Sequence, residues 1–332
     1  VLVAWLQFLL CGALIAGSGF WLARYGNVIA EQTGLGGTWI GVILVATVTS
    51  LPELVTGVSS VTVADAPDIA VGNVLGACVL NLLLIALLDF LHRESPIYLR
   101  ASQAHILSAG FSIMLIGLAT FSLLAADPLG LRLGHVGLYT PVIVVLYAVA
   151  VRTIYLHERR SVAELAEAHS SGGTTLRDAV IRYVAASVGV VAAGLAMPFA
   201  AVRLAEEMGW GQSFVGTLLV AAATTLPETA STIGALRIGA IDLAIGNLFG
   251  SNIFNMLILA LDDIAYLRGP LLGSVSPSHA VSGVSAIIMS GAAVVGLFYR
   301  PAGRVLRTVG WVSLAIVVTY VLNALVLYLR AH

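Results

Sequence analysis

The sequence predicts an all-α membrane protein: ten transmembrane helices in two five-helix repeats of inverted topology, with helices broken at the bilayer midplane. Three observations carry that expectation. Of 332 residues, 59% are hydrophobic and only 10% charged, with a mean hydropathy of +1.00, whereas soluble domains carry roughly 25% charged residues. One polar motif recurs inside apolar runs, at 49–81 and again at 224–255. Apolar windows of about 20 residues, the length that crosses a bilayer, fall five before and five after one long polar connection.

Composition narrows the function classes. A net charge of −1 with no basic block argues against a nucleic-acid partner, and no protein partner is evident. Cys11 and Cys78 both lie in apolar runs and are expected to be packing thiols rather than a disulfide. The first apolar run lacks a basic n-region and a small-residue cleavage site, so it reads as a retained span.

In chain order the expected spans are 2–23, 38–63, 69–90, 103–125, 138–155, 180–204, 213–236, 243–265, 280–298 and 305–329. The connection 157–182 is polar, carries Gly and Ser at its middle, and separates a first repeat, 1–156, from a second, 183–332. Orientation rests on arginine, since lysine is absent. With the N-terminus outside, Arg24, Arg93, Arg100, Arg152, Arg159, Arg160, Arg177, Arg182, Arg237, Arg300, Arg304 and Arg307 face the cytoplasm. Arg132, Arg203, Arg268 and Arg330 face the other side, in keeping with the positive-inside rule. Both termini are then outside and the central loop is cytoplasmic. An odd number of spans per half makes the second repeat enter from the opposite side, the pattern of secondary transporters.

The repeated motif supplies the chemistry. TVTSLPELVTG from 47 precedes DIAVGNVLGACVLN; TTLPETAST from 224 precedes DLAIGNLFGSNIFN. Alignment pairs Thr49 with Thr224, Ser50 with Thr225, Pro52 with Pro227 and Glu53 with Glu228. After a one-residue slip it pairs Asp68 with Asp242, Gly72 with Gly246, Gly76 with Gly250 and Asn81 with Asn255. Each proline removes an N–H and clashes with the carbonyl four residues back, so each helix should break there. Non-helical backbone at membrane depth persists where it is buried or lines a watery cavity. A carboxylate at that depth costs about 2.5 kcal/mol or more on insertion scales and marks a functional site. The freed carbonyls beside Thr49, Ser50 and Glu53, and beside Thr224, Thr225 and Glu228, make an all-oxygen nest. Oxygen ligands of this kind select hard cations such as Na⁺, Ca²⁺ and Mg²⁺. Asn81 and Asn255 are placed to turn amide oxygens to the same centre, and Gly-x-x-x-Gly at 72–76 and 246–250 permits close helix approach. Asp68 and Asp242 start helices and are expected to cap them. Asp89, Asp262 and Asp263 fall at span ends and are expected to face water.

These residues resemble the cation/calcium exchanger superfamily, of the sodium/calcium exchanger type. Its two repeats carry a G-or-A-x-T-S-x-P-E signature followed by G-N-x-x-G-S-N-I-x-N/D, matched specifically within 46–81 and 221–255. The resemblance implies ten helices in two inverted halves and paired glutamates that bind Ca²⁺ in competition with Na⁺. By position these glutamates are Glu53 and Glu228. Thr49 and Thr224 would offer backbone carbonyls to Ca²⁺, and Ala46 and Ala221 backbone oxygens to Na⁺. Ser50, Thr225, Ser251, Asn81 and Asn255 would add polar side chains. Three departures stand out: Gly-Ala-Cys at 76–78, which lacks the hydroxyl expected at Ala77; Asn255 in place of an aspartate; and Thr225 in place of serine. Asn255 argues against K⁺ co-transport, and the G-N-A-x-E-H motif of the Ca²⁺/H⁺ branch is absent.

The expected function is therefore an antiporter of the cytoplasmic or plasma membrane, not an enzyme. It would extrude Ca²⁺ as Na⁺ enters, with both ions as transported substrates and no cofactor. The alternatives are a proton-coupled Ca²⁺/H⁺ exchanger and a cation channel.

Overall fold

A computed structural model describes residues 1–32, 49–129, 132–165, 175–237, 239–301, 303–305 and 309–331. Among the described residues, eleven helices of ten residues or more form the body: α1 Leu2–Gln32, α2 Leu51–Thr62, α3 Pro67–Leu91, α4 His105–Leu129, α5 Tyr139–Leu165, α6 Leu176–Met208, α7 Gln212–Thr224, α8 Leu226–Arg237, α9 Ile241–Ala265, α10 His279–Tyr299 and α11 Trp311–Ala331. Eight of them, α1, α3, α4, α5, α6, α9, α10 and α11, are long and apolar enough to cross a membrane. Two hairpins, β1 (Arg132–Leu133) with β2 (Val136–Gly137) and β3 (Arg304–Val305) with β4 (Val309–Gly310), link α4 to α5 and α10 to α11.

Local sequence sets several boundaries. Thr175 caps α6 by accepting the Asp178 N–H at 3.2 Å, and Gly209 ends it in the left-handed region at φ 67°, where glycine pays no Cβ penalty. The window expected at 305–329 starts later, because 305 and 309–310 form the hairpin ahead of Trp311. The polar connection is also shorter than its composition suggests: α5 runs to Leu165 and α6 starts at Leu176. Of the window expected at 38–63, only its part from Thr49 onward lies within the described residues.

The helices α3 and α9, which carry the second half of each repeat, occupy the centre and pack on each other and on α10 or α4. Around them the outer helices turn large apolar side chains outward at helical spacing, as with Val184, Val188, Val191 and Leu195 on α6 and Leu314, Val318, Val321 and Leu325 on α11. The interior holds the polar side chains instead: Thr49, Ser50, Glu53, Asn73, Asn81, Glu228, Asn252 and Asn255 are all buried. A soluble domain distributes these groups the other way round. Helices α1 and α6 pack extensively on each other and share an apolar cluster with α7 that is separate from the main core. Both cysteines are free and buried, as expected.

Five aspartates depart from expectation. Asp68 does not cap its own helix, whose N-cap is Ala66; a side chain inside the first turn points away from the N–H groups that a cap residue reaches. Its carboxylate instead accepts from His279 Nε2 at 2.8 Å, Ser276 N–H at 2.8 Å and the Ser213 hydroxyl at 3.1 Å. Asp242 does the same in mirror fashion, taking the Ser102 N–H at 2.6 Å and His105 Nε2 at 3.0 Å. Asp89, Asp262 and Asp263 do not face water; all three are fully buried. Asp89 accepts from Ile97 N–H, Gly310 N–H and the Ser313 hydroxyl at 2.8–2.9 Å. Asp263 accepts from the Gly137 and Leu271 N–H groups, Tyr139 OH and the Thr140 hydroxyl at 2.5–2.9 Å. The short turns and hairpins fold over these helix ends and bring backbone donors to them, which supplies the satisfaction a buried carboxylate requires.

Candidate cation site

Both Pro-Glu motifs interrupt their helices. Ser50 stands outside α2 with φ −88° and ψ 10°, and Thr225 separates α7 from α8 with φ −80° and ψ 1°. Pro52 and Pro227 follow within two residues, in the first turn of the next helix, where a missing N–H costs nothing. Each glutamate therefore sits in the first turn of a helix that begins deep inside the molecule, where the partial positive end of the helix favours an anion. Ahead of Thr225, Val215–Val220 winds as a π-helix, a local widening that recurs at functional sites.

The two copies meet by exchanging hydroxyls. Ser50 donates to Glu228 Oε1 at 3.1 Å, and Thr225, its counterpart, donates to Glu53 Oε1 at 3.4 Å. Thr49 and Thr224 lie close enough to Glu228 and Glu53, respectively, to interact with them, and the two carboxylates are near enough to feel each other's charge. Among the described residues, the second oxygen of each glutamate, Oε2, is buried with no hydrogen-bond partner. Asn81 Oδ1, Asn255 Oδ1 and the Ser251 hydroxyl are also buried without a partner. Asn81 is held by its amide, which donates to Asn252 Oδ1 at 3.0 Å, and Cys78 lies within reach of both Asn255 and Glu53. Ala221 is buried, but its carbonyl already accepts from Thr225 N–H at 2.9 Å and the Thr224 hydroxyl at 3.2 Å. Ala46 lies outside the described residues.

Among the described residues these five buried oxygens, two of them on carboxylates, lack a partner, and oxygen ligands are the kind that suits a hard cation. Unpaired buried carboxylates cost several kcal/mol each, and a cation is the partner that would offset the cost.

Two contributors were not singled out from the sequence. Asn73 donates to the Glu53 carbonyl at 3.2 Å and accepts from the Thr224 hydroxyl at 2.9 Å, tying α3 to the broken segments of both copies. Asn252 accepts from Asn81 and donates to the Cys78 carbonyl at 3.3 Å. The signal for Asn73 was present: it follows Gly72 as Asn247 follows Gly246. The glycines act as expected in the first copy, where a Cβ on Gly76 would fall 2.2 Å from the Thr217 carbonyl oxygen and one on Gly72 2.9 Å from the Thr217 nitrogen. Gly246 is less confined, with His105 at 3.4 Å.

The chain matches a family model described as "Sodium/calcium exchanger protein" over residues 3–156 and 179–328. It is 28% identical to the inner membrane protein YrbG of Escherichia coli over 258 residues, 73% of this chain and 76% of that one. Over a 63-residue stretch, 19% of this chain and 18% of the other, it is 46% identical to the sodium/calcium exchanger MaX1 of Methanosarcina acetivorans. Its fold is similar to that of the H⁺/Ca²⁺ exchanger CAX, with a TM-score of 0.69 at 16% identity over 99% of this chain and 86% of that one. It is also similar to the sodium–calcium exchanger NCX_Mj, with a TM-score of 0.62 at 19% identity over 97% of each chain.

Proposed function

The chain belongs to the sodium/calcium exchanger protein family, and from that premise we propose that it exchanges Ca²⁺ for Na⁺ through one site shared by Glu53 and Glu228. Members of this family are transporters rather than enzymes. The observation that carries the reading is that five buried oxygens, on Glu53, Glu228, Asn81, Asn255 and Ser251, have no partner among the described residues. Two ionised glutamates give the site a charge of about −2, which one Ca²⁺ or two Na⁺ would neutralise. Shared ligands exclude simultaneous occupancy, and that exclusion is the coupling.

In this reading ten helices span the membrane, α2 belonging to the second and α7 with α8 forming the broken seventh. Residues 1–156 and 183–332 are inverted repeats, and 157–182 joins them on the cytoplasmic side, with both termini outside. Thr49, Ser50, Thr224 and Thr225 line the site together with the backbone of Ala221. The carbonyl of Ala221 is engaged within its own helix, so it would serve Na⁺ only after local rearrangement. The pair α1 and α6, packed on each other and clustered apart from the main core, is suited to slide against it and alternate access.

A proton-coupled reading has one specific observation in its favour, the likeness to the H⁺/Ca²⁺ exchanger fold. Uptake of ⁴⁵Ca²⁺ into proteoliposomes separates the two. Uptake that requires internal Na⁺ supports the sodium/calcium reading; uptake driven by a pH gradient in Na⁺-free vesicles overturns it in favour of proton coupling. Flux with no counter-ion would indicate a channel.

A further inference from the structure

A third carboxylate lies in the interior without a partner, away from the Glu53–Glu228 centre. Asp262 on α9 has no exposed surface, and neither of its oxygens meets a donor among the described residues. Its neighbour Asp263, in contrast, is saturated by four donors. Asp262 is pressed against α2: a Cβ on Gly57 would fall 2.5 Å from its Oδ2 and 2.8 Å from its Oδ1. The absent side chain of Gly57 thus makes the cradle that the carboxylate occupies. Beside Gly57 in sequence, Thr56 buries a hydroxyl that also has no partner among the described residues.

The position relates directly to the central site. Gly57 is one helical turn, ~6 Å, beyond Glu53 on α2, and Asp262 is about two turns, ~10 Å, beyond Asn255 on α9. The pair therefore flanks the centre on the side of the molecule where α2 and α9 end, at Thr62 and Ala265. The other copy has no equivalent. Thr232 stands where the first has Gly57 and takes a hydrogen bond from the Asn247 amide at 3.4 Å; Leu88, buried in the apolar core, stands where the second has Asp262.

A carboxylate left without donors inside a membrane protein calls for a counter-charge, and such residues mark ion routes. We propose that Asp262, cradled at Gly57, forms a second position for a hard cation of the Na⁺/Ca²⁺ class. It lies on the route between the central site and the face carrying Thr62 and Ala265. This rests on the transporter reading. A cation using that face passes a fixed carboxylate, and one using the opposite face passes Leu88.

Infrared difference spectra of the purified full chain in lipid, recorded on adding Na⁺ or Ca²⁺ to cation-free protein, read the carboxylates directly and need no transport. The expected wild-type spectrum contains a cation-sensitive carboxylate component that Asp262→Asn lacks and the Glu53→Gln/Glu228→Gln double variant keeps. The two cations, tested separately, show which one the position takes. An Asp262→Asn spectrum identical to wild type with both cations overturns the proposal, as does a double variant that loses every component. Should Asp262→Asn fail to fold, Gly57→Ala fills the cradle without removing a charge. It should shift the Asp262 component, and an unshifted component overturns the proposal equally. A wild-type spectrum that shows the Asp262 component without one from Glu53 and Glu228 would support this position and sink the central-site reading.

Discussion

The two copies of the motif agree where the site needs charge and differ along the way to it. Ser50 serves Glu228 as Thr225 serves Glu53, and both glutamates end with one unpartnered oxygen. Beyond that centre the copies diverge: Ala77 and Cys78 align with Ser251 and Asn252, Gly57 with Thr232, and Leu88 with Asp262. Perfectly equivalent inverted copies would offer a cation the same path from either face. In the proposed exchanger, what distinguishes one face from the other must therefore reside in the unmatched residues.

The strongest challenge to the matched part is to neutralise one glutamate at a time. Removing one charged partner from a buried site costs about 3–5 kcal/mol, so Glu53→Gln and Glu228→Gln should each lower ⁴⁵Ca²⁺ exchange by at least about a hundredfold. Equal losses support equivalence of the copies; activity retained in either variant breaks it, and retention in both sinks the site.

The matched aspartates test the scaffold instead. Asp89→Asn and Asp263→Asn set an amide among N–H and O–H donors, and each should cost about 2–4 kcal/mol of stability. Thermal unfolding in detergent should show Asp263→Asn as the more damaging, since Asp263 holds four donors and Asp89 three.

The unmatched residues should give smaller and one-sided effects. Asp262→Asn should raise KM for Ca²⁺ about tenfold, or ~1.4 kcal/mol, when Ca²⁺ is offered from one face of oriented vesicles and leave the other face unchanged. Equal changes on both faces would make Asp262 merely structural. Ser251→Ala should weaken the Na⁺ dependence about fivefold, the worth of one hydrogen-bonding ligand at about 1 kcal/mol. Ala77→Ser should strengthen it by a similar or smaller factor. If neither variant shifts the Na⁺ titration, the difference at 77 and 251 carries no selectivity.

The centre of this molecule was readable from the chain because it is local: Pro52 and Pro227 break helices through their own covalent structure, and the glutamates lie one residue further on. The two breaks at Ser50 and Thr225 fall where that chemistry puts them. The aspartates were not readable from position alone. Asp89 and Asp263 stand at the ends of apolar windows, where a carboxylate ordinarily meets water, and only the folded hairpins bring Gly310 and Gly137 over them. A signal was nevertheless present, because these two align with each other at the register of Asn81 and Asn255. Asp262 has no counterpart, and its burial depends on the approach of α2 at Gly57, a contact between residues some two hundred positions apart.

The reciprocal aspartate contacts also bear on how such a chain is made. Asp68 is satisfied by Ser213, Ser276 and His279, and Asp89 in part by Gly310 and Ser313. Synthesis runs from the N-terminus, so both carboxylates must enter the bilayer long before those partners leave the ribosome. The early half would wait there as a metastable guest, dependent on the insertion machinery for cover, until the late half arrives to close it. Each half thus holds carboxylates whose donors lie in the other.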